Sequence, residues 1–331
     1  MPKSTPTPPG AGPTPRGPAA GGPVPCQPCK SISGRFVDTE VKCGDPGAVE
    51  ATGVLISEGA TTSFAIVRAR DGAATKTVSA PMNGQRVRAL AWQPQRPAGT
   101  QPADQFQFTV SADGVSAQSS NQFKFKPVPP AGPETKTFAC SSPPYGWTGK
   151  FDISFAAEQL TITVKIKLIN RLGGKPATDA DPQPEAGDPV TDEDKLAMKS
   201  EIEAKLTNKH QLFRTGCGFG EACTCAVPVN IIVNFVESGE HHLVNLYTGA
   251  GRANSGSWCR VKTRDNTYAH EVGHLLAWYD EYAGGAVGSA PRWLPNEPAN
   301  IMNVGMTVPA EYYWDFRDWL AAKTGEDWVL R

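Results

Sequence analysis

The nine residues Leu160-Thr-Ile-Thr-Val-Lys-Ile-Lys-Leu168 alternate apolar and polar without a break. That period belongs to an extended strand with one buried face. Such a strand cannot stand alone: its backbone needs hydrogen-bonded neighbours and its apolar face needs a cover. The residues that follow supply both. Val227–Val236 reads as a mostly apolar strand and His242–Tyr247 as another. A helix is predicted in between. Thr191 can cap it, Asp192, Glu193 and Asp194 suit the positive end of its dipole, and Met198, Ile202 and Leu206 recur every fourth position. The order strand, helix, strand, strand, helix predicts an α+β domain with one mixed sheet.

Upstream the pattern differs. From residue 31 to 130, short strand-like runs are separated by turn residues: Val49–Ile56, Thr61–Arg68, Arg86–Trp92, Gln105–Val110 and Ser116–Phe125, with Asp71-Gly72, Asn83-Gly84 and Asp113-Gly114 between them. This spacing predicts an immunoglobulin-like β-sandwich, acting either as a docking module or as a spacer. No histidine occurs before His210, so no histidine chemistry belongs here. Residues 1–30 read as a disordered Pro/Gly-rich tail, because ten prolines and five glycines in residues 1–28 leave too little apolar surface to offset the ordering entropy. Residues 131–138 continue a stiff Pro-rich linker begun at Lys126, and residues 139–331 form the second domain.

A formal net charge of −1 gives no basic excess for nucleic acid, and no apolar run approaches the roughly 20 residues of a membrane span. The start of the chain carries no ordinary secretory signal, yet its eight cysteines point to an oxidising compartment. Export by a route independent of a signal peptide reconciles the two; the alternative is a cytoplasmic protein with reduced thiols. Cys26 and Cys29 are expected to tether the tail by a disulfide. Cys217, Cys223, Cys225 and Cys259 are expected to clamp the loop at 214–226 in paired disulfides.

The chemistry concentrates at His270-Glu271-Val272-Gly273-His274, inside a predicted helix that Asp265 or Asn266 can cap. On a helix, His270 and His274 lie one turn apart on one face, so both imidazoles reach one metal ion. Glu271 lies beside them, placed to take a proton from a metal-activated water and pass it to a leaving amine. A catalytic zinc needs a third protein ligand, and Asp280 and Glu281 follow the helix closely. His241 and His242 are adjacent on a predicted strand and face opposite ways, which makes them structural or, for one of them, a cleft wall. His210 sits at a helix end, where a cation is favoured.

With Asn300-Ile301-Met302-Asn303 downstream, residues 139–331 resemble a metzincin-type zinc peptidase of the variant whose third ligand is Asp. The motif reads HExxHxxAxxD, with the Met-turn methionine 22 residues further on. The resemblance implies Zn2+ held by His270, His274 and Asp280, Glu271 as general base, and a tyrosine after the Met-turn, Tyr312 or Tyr313, steadying the oxyanion. Packing of a C-terminal helix through Tyr313, Phe316, Trp319 and Leu320 accounts for either tyrosine equally well. Metzincins carry Gly where this chain has Ala277, at a turn that favours the left-handed conformation. Ala there costs on the order of 1 kcal/mol, which keeps Glu281 and Glu311 open as third ligands.

The combination of tail, β-domain and peptidase-like domain resembles toxin effectors of type VI-like secretion systems. That resemblance implies a secretion-spike or immunity-protein partner, a protein or peptide substrate, and action in a target cell's periplasm. The competing class is a non-catalytic binding or adhesion protein with a structural metal or a degenerate site. A hydrolase of another amide, such as a cell-wall cross-link, is the third reading.

Overall fold

A computed structural model describes residues 29–92, 103–177, 183–186, 189–218, 223, 225–288 and 297–331. The tail 1–28, with Cys26, lies outside the described residues. The described chain is mostly strand, and its buried apolar residues form two clusters.

The first cluster lies between two sheets. One has the order β1 (Ser31–Phe36), β3 (Gly47–Val54), β6 (Arg86–Trp92), all antiparallel. The other runs β2 (Glu40–Val41), β9 (Phe123–Phe125), β7 (Gln105–Ala112), β4 (Thr61–Arg68), β5 (Ala74–Pro81), with β8 (Val115–Gln118) also on β7. Alternation sends Phe64 and Ile66 of β4, and Phe106, Phe108 and Val110 of β7, into the shared core with Phe36 and Trp92. The run Ser116–Phe125, expected as one strand, is two. Asn121 breaks it by bonding both backbone groups of Phe36, at 2.7 and 2.9 Å, which draws the segment from β7 toward β1. β5 escapes sequence detection because as an edge strand it has no fully buried face.

The second cluster lies between an eight-stranded mixed sheet and three helices. Its strands run β10 (Ala131–Ser142), β11 (Tyr145–Ala156), β12 (Gln159–Arg171), β14 (Val227–Phe235), β13 (Gln211–Arg214), β17 (Trp328–Leu330). β12 is long enough to serve two parallel partners: Leu160–Ile166 pair with β14, and Ile166–Arg171 pair with β15 (His242–Ala250), which in turn carries β16 (Ser257–Val261). Leu160, Ile162, Val164 and Ile166 are fully buried under α1 (Asp192–Leu206), α2 (Thr267–Leu275) and α3 (Trp314–Thr324) or the segments between them. α1 starts in a capping box: Asp194 N donates to Thr191 Oγ1 and Thr191 N to Asp194 Oδ2. Residues 131–138, read as linker, form most of β10; Gly132 and Pro133 fall at the register shift between Ala131 and Glu134, where a strand tolerates them.

His241, just before β15, and His242, its first residue, are both held by backbone groups. His242 Nε2 donates to Lys150 O at 2.8 Å, and His241 Nδ1 accepts from Lys165 N at 3.2 Å. Burial pushes the His242 imidazole down to about 4, so it is neutral in the fold. An unfolded histidine titrates near 6.5. Between those two values the unfolded chain binds the extra proton, so stability falls as pH drops through that window. The full contribution is on the order of 2–3 kcal/mol. Urea titrations at about pH 7 and about pH 4.5 should show His242→Gln losing less stability on acidification than the wild type. Equal losses would remove His242 from the account.

Candidate metal centre

α2 places His270, Glu271 and His274 within two turns, all buried. Asn266 is the N-cap residue, with His270 N donating to its carbonyl at 2.8 Å, but its side chain makes no capping bond; its Nδ2 donates to Gly305 O at 2.9 Å and so ties the helix to the loop after Met302. The helix ends at a left-handed Ala277 (φ 70°), with Trp278 N donating back to Gly273 O at 2.9 Å. This reversal carries Asp280 back to the helix. β11 makes room for this turn with a glycine: a Cβ on Gly149 would meet Ala277 Cβ and N at 2.7 Å. Trp147, also on β11, donates its indole N–H to His274 O at 2.8 Å, satisfying a carbonyl of the last turn.

His270, His274 and Asp280 converge. One ligand atom from each lies within 4.8 Å of the others, and Asp280 Oδ1 is 3.1 Å from His270 Nε2 and 3.4 Å from His274 Nε2. The other ring nitrogens are already committed. His270 Nδ1 bonds Ile301 O at 2.8 Å, and His274 Nδ1 bonds Trp278 O at 2.9 Å. Donating Nδ1–H to a carbonyl fixes the tautomer and leaves an Nε2 lone pair facing Asp280, the arrangement that orients metal-bound histidines. Asp280 Oδ2 accepts from Ala286 N at 2.6 Å, whereas Asp280 Oδ1 and Glu271 Oε2 are buried with no partner in hydrogen-bond geometry among the described residues. The Asp280 oxygen beside two imidazole lone pairs fits a divalent cation, and the Glu271 oxygen stands outside that set.

The three side chains and Glu271 also act on one another's charge. Burial raises Asp280, but the imidazoles of His270 and His274 outweigh it and hold the carboxyl well below the ordinary range. Burial lowers His270, and Asp280 and Glu271 more than reverse it. Burial pushes Glu271 up against the opposing pull of both histidines.

The other sequence candidates lie elsewhere. Glu281, buried, accepts from Asn300 Nδ2 at 3.1 and 2.9 Å and from the Tyr312 hydroxyl, while its backbone N–H donates to Met302 O at 3.0 Å. It locks the segment after the helix to the Met302 turn and stands outside the ligand cluster, as does Glu311. Met302 packs directly under α2: a Cβ on Gly273 would run into its sulfur. Tyr312, expected near the oxyanion, is stacked on Trp278 with its hydroxyl on Glu281. Tyr313 donates to Leu206 O at 2.5 Å, and His210 Nε2 bonds Val308 O. Both tyrosines therefore spend their hydroxyls on internal bonds.

A different tyrosine faces the site. Two cavities of about 650 and 570 Å³ share Arg252, His270, Glu271 and Tyr282, and the 650 Å³ cavity is lined by His274 and Asp280 as well. Tyr282 lies 6.3 Å, ring to ring, from His270, and its hydroxyl accepts from Arg252 at 3.3 Å. Burial, then Asp280, push its phenol up. Alternation along the extended segment after the helix was the available signal: Asp280 and Tyr282 are two apart and share a face. Arg252 carries no comparable mark, since it comes from the loop between β15 and β16.

No protein-family model matches the chain, and no curated protein does. Among solved structures, the human F-spondin reeler domain is 13% identical, covering 29% of this chain and 89% of its own, with a TM-score of 0.21. The CARDB domain of the PF1109 protein from Pyrococcus furiosus is 9% identical over 30% of this chain and 93% of its own, at 0.20. Cwp6 from Clostridium difficile is 7% identical over 76% of this chain and 42% of its own, at 0.22. Likeness at this level decides neither fold family nor activity.

Proposed function

We propose that the chain is a zinc-dependent endopeptidase of metzincin-like type, with His270, His274 and Asp280 as ligands and Glu271 as general base. The observation that carries the reading is the buried meeting of two tautomer-fixed imidazoles with the unpartnered oxygens of Asp280 and Glu271. A zinc ion held by such a set supplies Lewis acidity and draws the pKa of water from about 15.7 toward 7. Glu271 Oε2 takes the proton from the attacking water and delivers it to the departing amine. The Tyr282 hydroxyl and the Arg252 guanidinium donate to the carbonyl oxygen as it gains charge. The two cavities that share Glu271 support an extended substrate lying through the site.

The immunoglobulin-like reading of residues 31–130, and with it delivery as a secreted antibacterial effector, belongs to the same proposal. The Cys43–Cys225 disulfide supports action in an oxidising compartment such as a target cell's periplasm. A binding protein with a structural metal would leave the buried Glu271 carboxylate without a task.

Incubating the zinc-loaded protein with a peptide library, with and without chelator, tests the reading by mass spectrometry of products. New amide-bond termini that vanish on chelation and return with zinc are expected. An untouched peptide library and cleaved cell-wall cross-links would move the substrate to another amide; no cleavage of either would sink the enzyme reading. Tyr282→Phe should lower kcat about a hundredfold, with KM and zinc content little changed. An unaltered kcat would remove Tyr282 from the oxyanion role.

A further inference from the structure

Four cysteine sulfurs meet where the two cores adjoin. Cys43, in the connection from β2 to β3, is bonded to Cys225, 182 residues away. Cys217 and Cys223 are buried beside them, their sulfurs 2.7 Å apart, and Cys43, Cys217 and Cys223 all lie within 4.8 Å of one another. Although Cys217, Cys223 and Cys225 follow β13 in the second half of the chain, they pack against the core of the first. Cys259, expected from sequence as the fourth member of the clamp, sits apart in β16, buried, with the Tyr268 hydroxyl on its carbonyl. Cys43 takes that place, and no spacing rule links positions so distant.

Polar contacts cross the same junction. The Arg214 guanidinium donates to Cys43 O and Asp45 Oδ1, both at 2.6 Å, and Gly218 N donates to Gly44 O at 3.2 Å. Lys42 pairs with Glu326 next to β17. Arg214, Gly218 and the three later cysteines are therefore held against the β2–β3 connection, and the sulfurs of Cys217 and Cys223 still lack a covalent partner.

We propose that Cys217 and Cys223 close a second disulfide beside Cys43–Cys225, making the junction a two-disulfide brace set in an oxidising compartment. Two sulfurs at 2.7 Å are closer than unbonded thiols rest, and burial keeps them in that register. The competing use, a tetrathiolate metal site, needs four thiolates. Cys43 and Cys225 are already consumed by their mutual bond, and among the described residues the cluster holds no histidine or carboxylate to replace them. The step is a thiol–disulfide exchange with an external disulfide oxidant. The thiolate of one cysteine attacks the oxidant to give a mixed disulfide, and the other displaces it. The S–S bond forms as both thiol protons leave, and the oxidant's disulfide is reduced to two thiols. None of this depends on the peptidase reading.

Peptide mapping of the full chain decides it. Trypsin cuts after Lys42, Arg68, Arg214 and Arg252, so one peptide carries Cys43 and another carries Cys217, Cys223 and Cys225. After equilibration with oxidised glutathione, denaturation and alkylation, the linked pair of peptides should appear with no cysteine alkylated. A linked pair bearing two alkyl groups would overturn the second bond. So would a zinc ion that survives His274→Ala but is lost in the double variant Cys217→Ser, Cys223→Ser. The oxidised wild type should melt about 5 °C above that double variant without reductant. Equal melting would overturn the bracing role.

Discussion

Replacing Glu271 by Gln is expected to lower kcat/KM for peptide hydrolysis by between about a hundredfold and ten-thousandfold, the range a positioned general base contributes. Gln keeps the shape and polarity of the side chain but cannot accept the proton at Oε2. The carboxylate lies outside the ligand set and forms no hydrogen bond through that oxygen among the described residues. Zinc content and folding should therefore be close to wild type, since removing a buried charge favours the fold. Steady-state kinetics with matched zinc analysis separate the outcomes. Full activity in Glu271→Gln would exclude the proposed mechanism whatever metal is bound.

Replacing Asp280 by Ala should cost more in metal affinity than the 10- to 100-fold typical of residues that only orient ligands. It removes the one anionic ligand and leaves two imidazoles whose orientation still depends on Ile301 O and Trp278 O. A ligand that binds only the folded state adds about 4 kcal/mol of stability at a thousandfold excess over Kd. Wild type should accordingly gain thermal stability with zinc, and Asp280→Ala should gain little. Glu281→Ala provides the contrast. It leaves Asn300 and Tyr312 without their buried acceptor, at about 1–3 kcal/mol for each group, but it retains all three ligands. Competition titrations with a chromogenic chelator measure both. If Glu281→Ala abolished tight zinc binding while Asp280→Ala kept it, the ligand assignment would be reversed.

What could be read from the sequence follows the range of the interactions involved. His270, Glu271 and His274 depend on helical spacing alone, and α1 announces both its cap and its buried face locally. Asp280 needed the turn at Ala277, for which space is left by the missing Cβ of Gly149, a residue over a hundred positions earlier. Tyr312 and Tyr313 illustrate the opposite case. Their place after the Met302 turn matches an oxyanion role, but Glu281 and Leu206 O, distant in sequence, claim their hydroxyls. Arg252 and the partnership of Cys43 with Cys225 are likewise products of tertiary packing, without a local period to reveal them. The β10 segment was masked by Gly132 and Pro133, which a bulge accommodates.

The account rests on one metal centre, so X-ray absorption at the zinc edge of the loaded, full-length protein is the most direct test. It should show a shell of only nitrogen and oxygen near 2.0–2.1 Å, including imidazole scattering from two histidines. His274→Ala should lose it. A dominant sulfur shell near 2.3 Å would put the metal in the cysteine cluster and contradict the central claim, as would failure of the wild type to bind zinc at all.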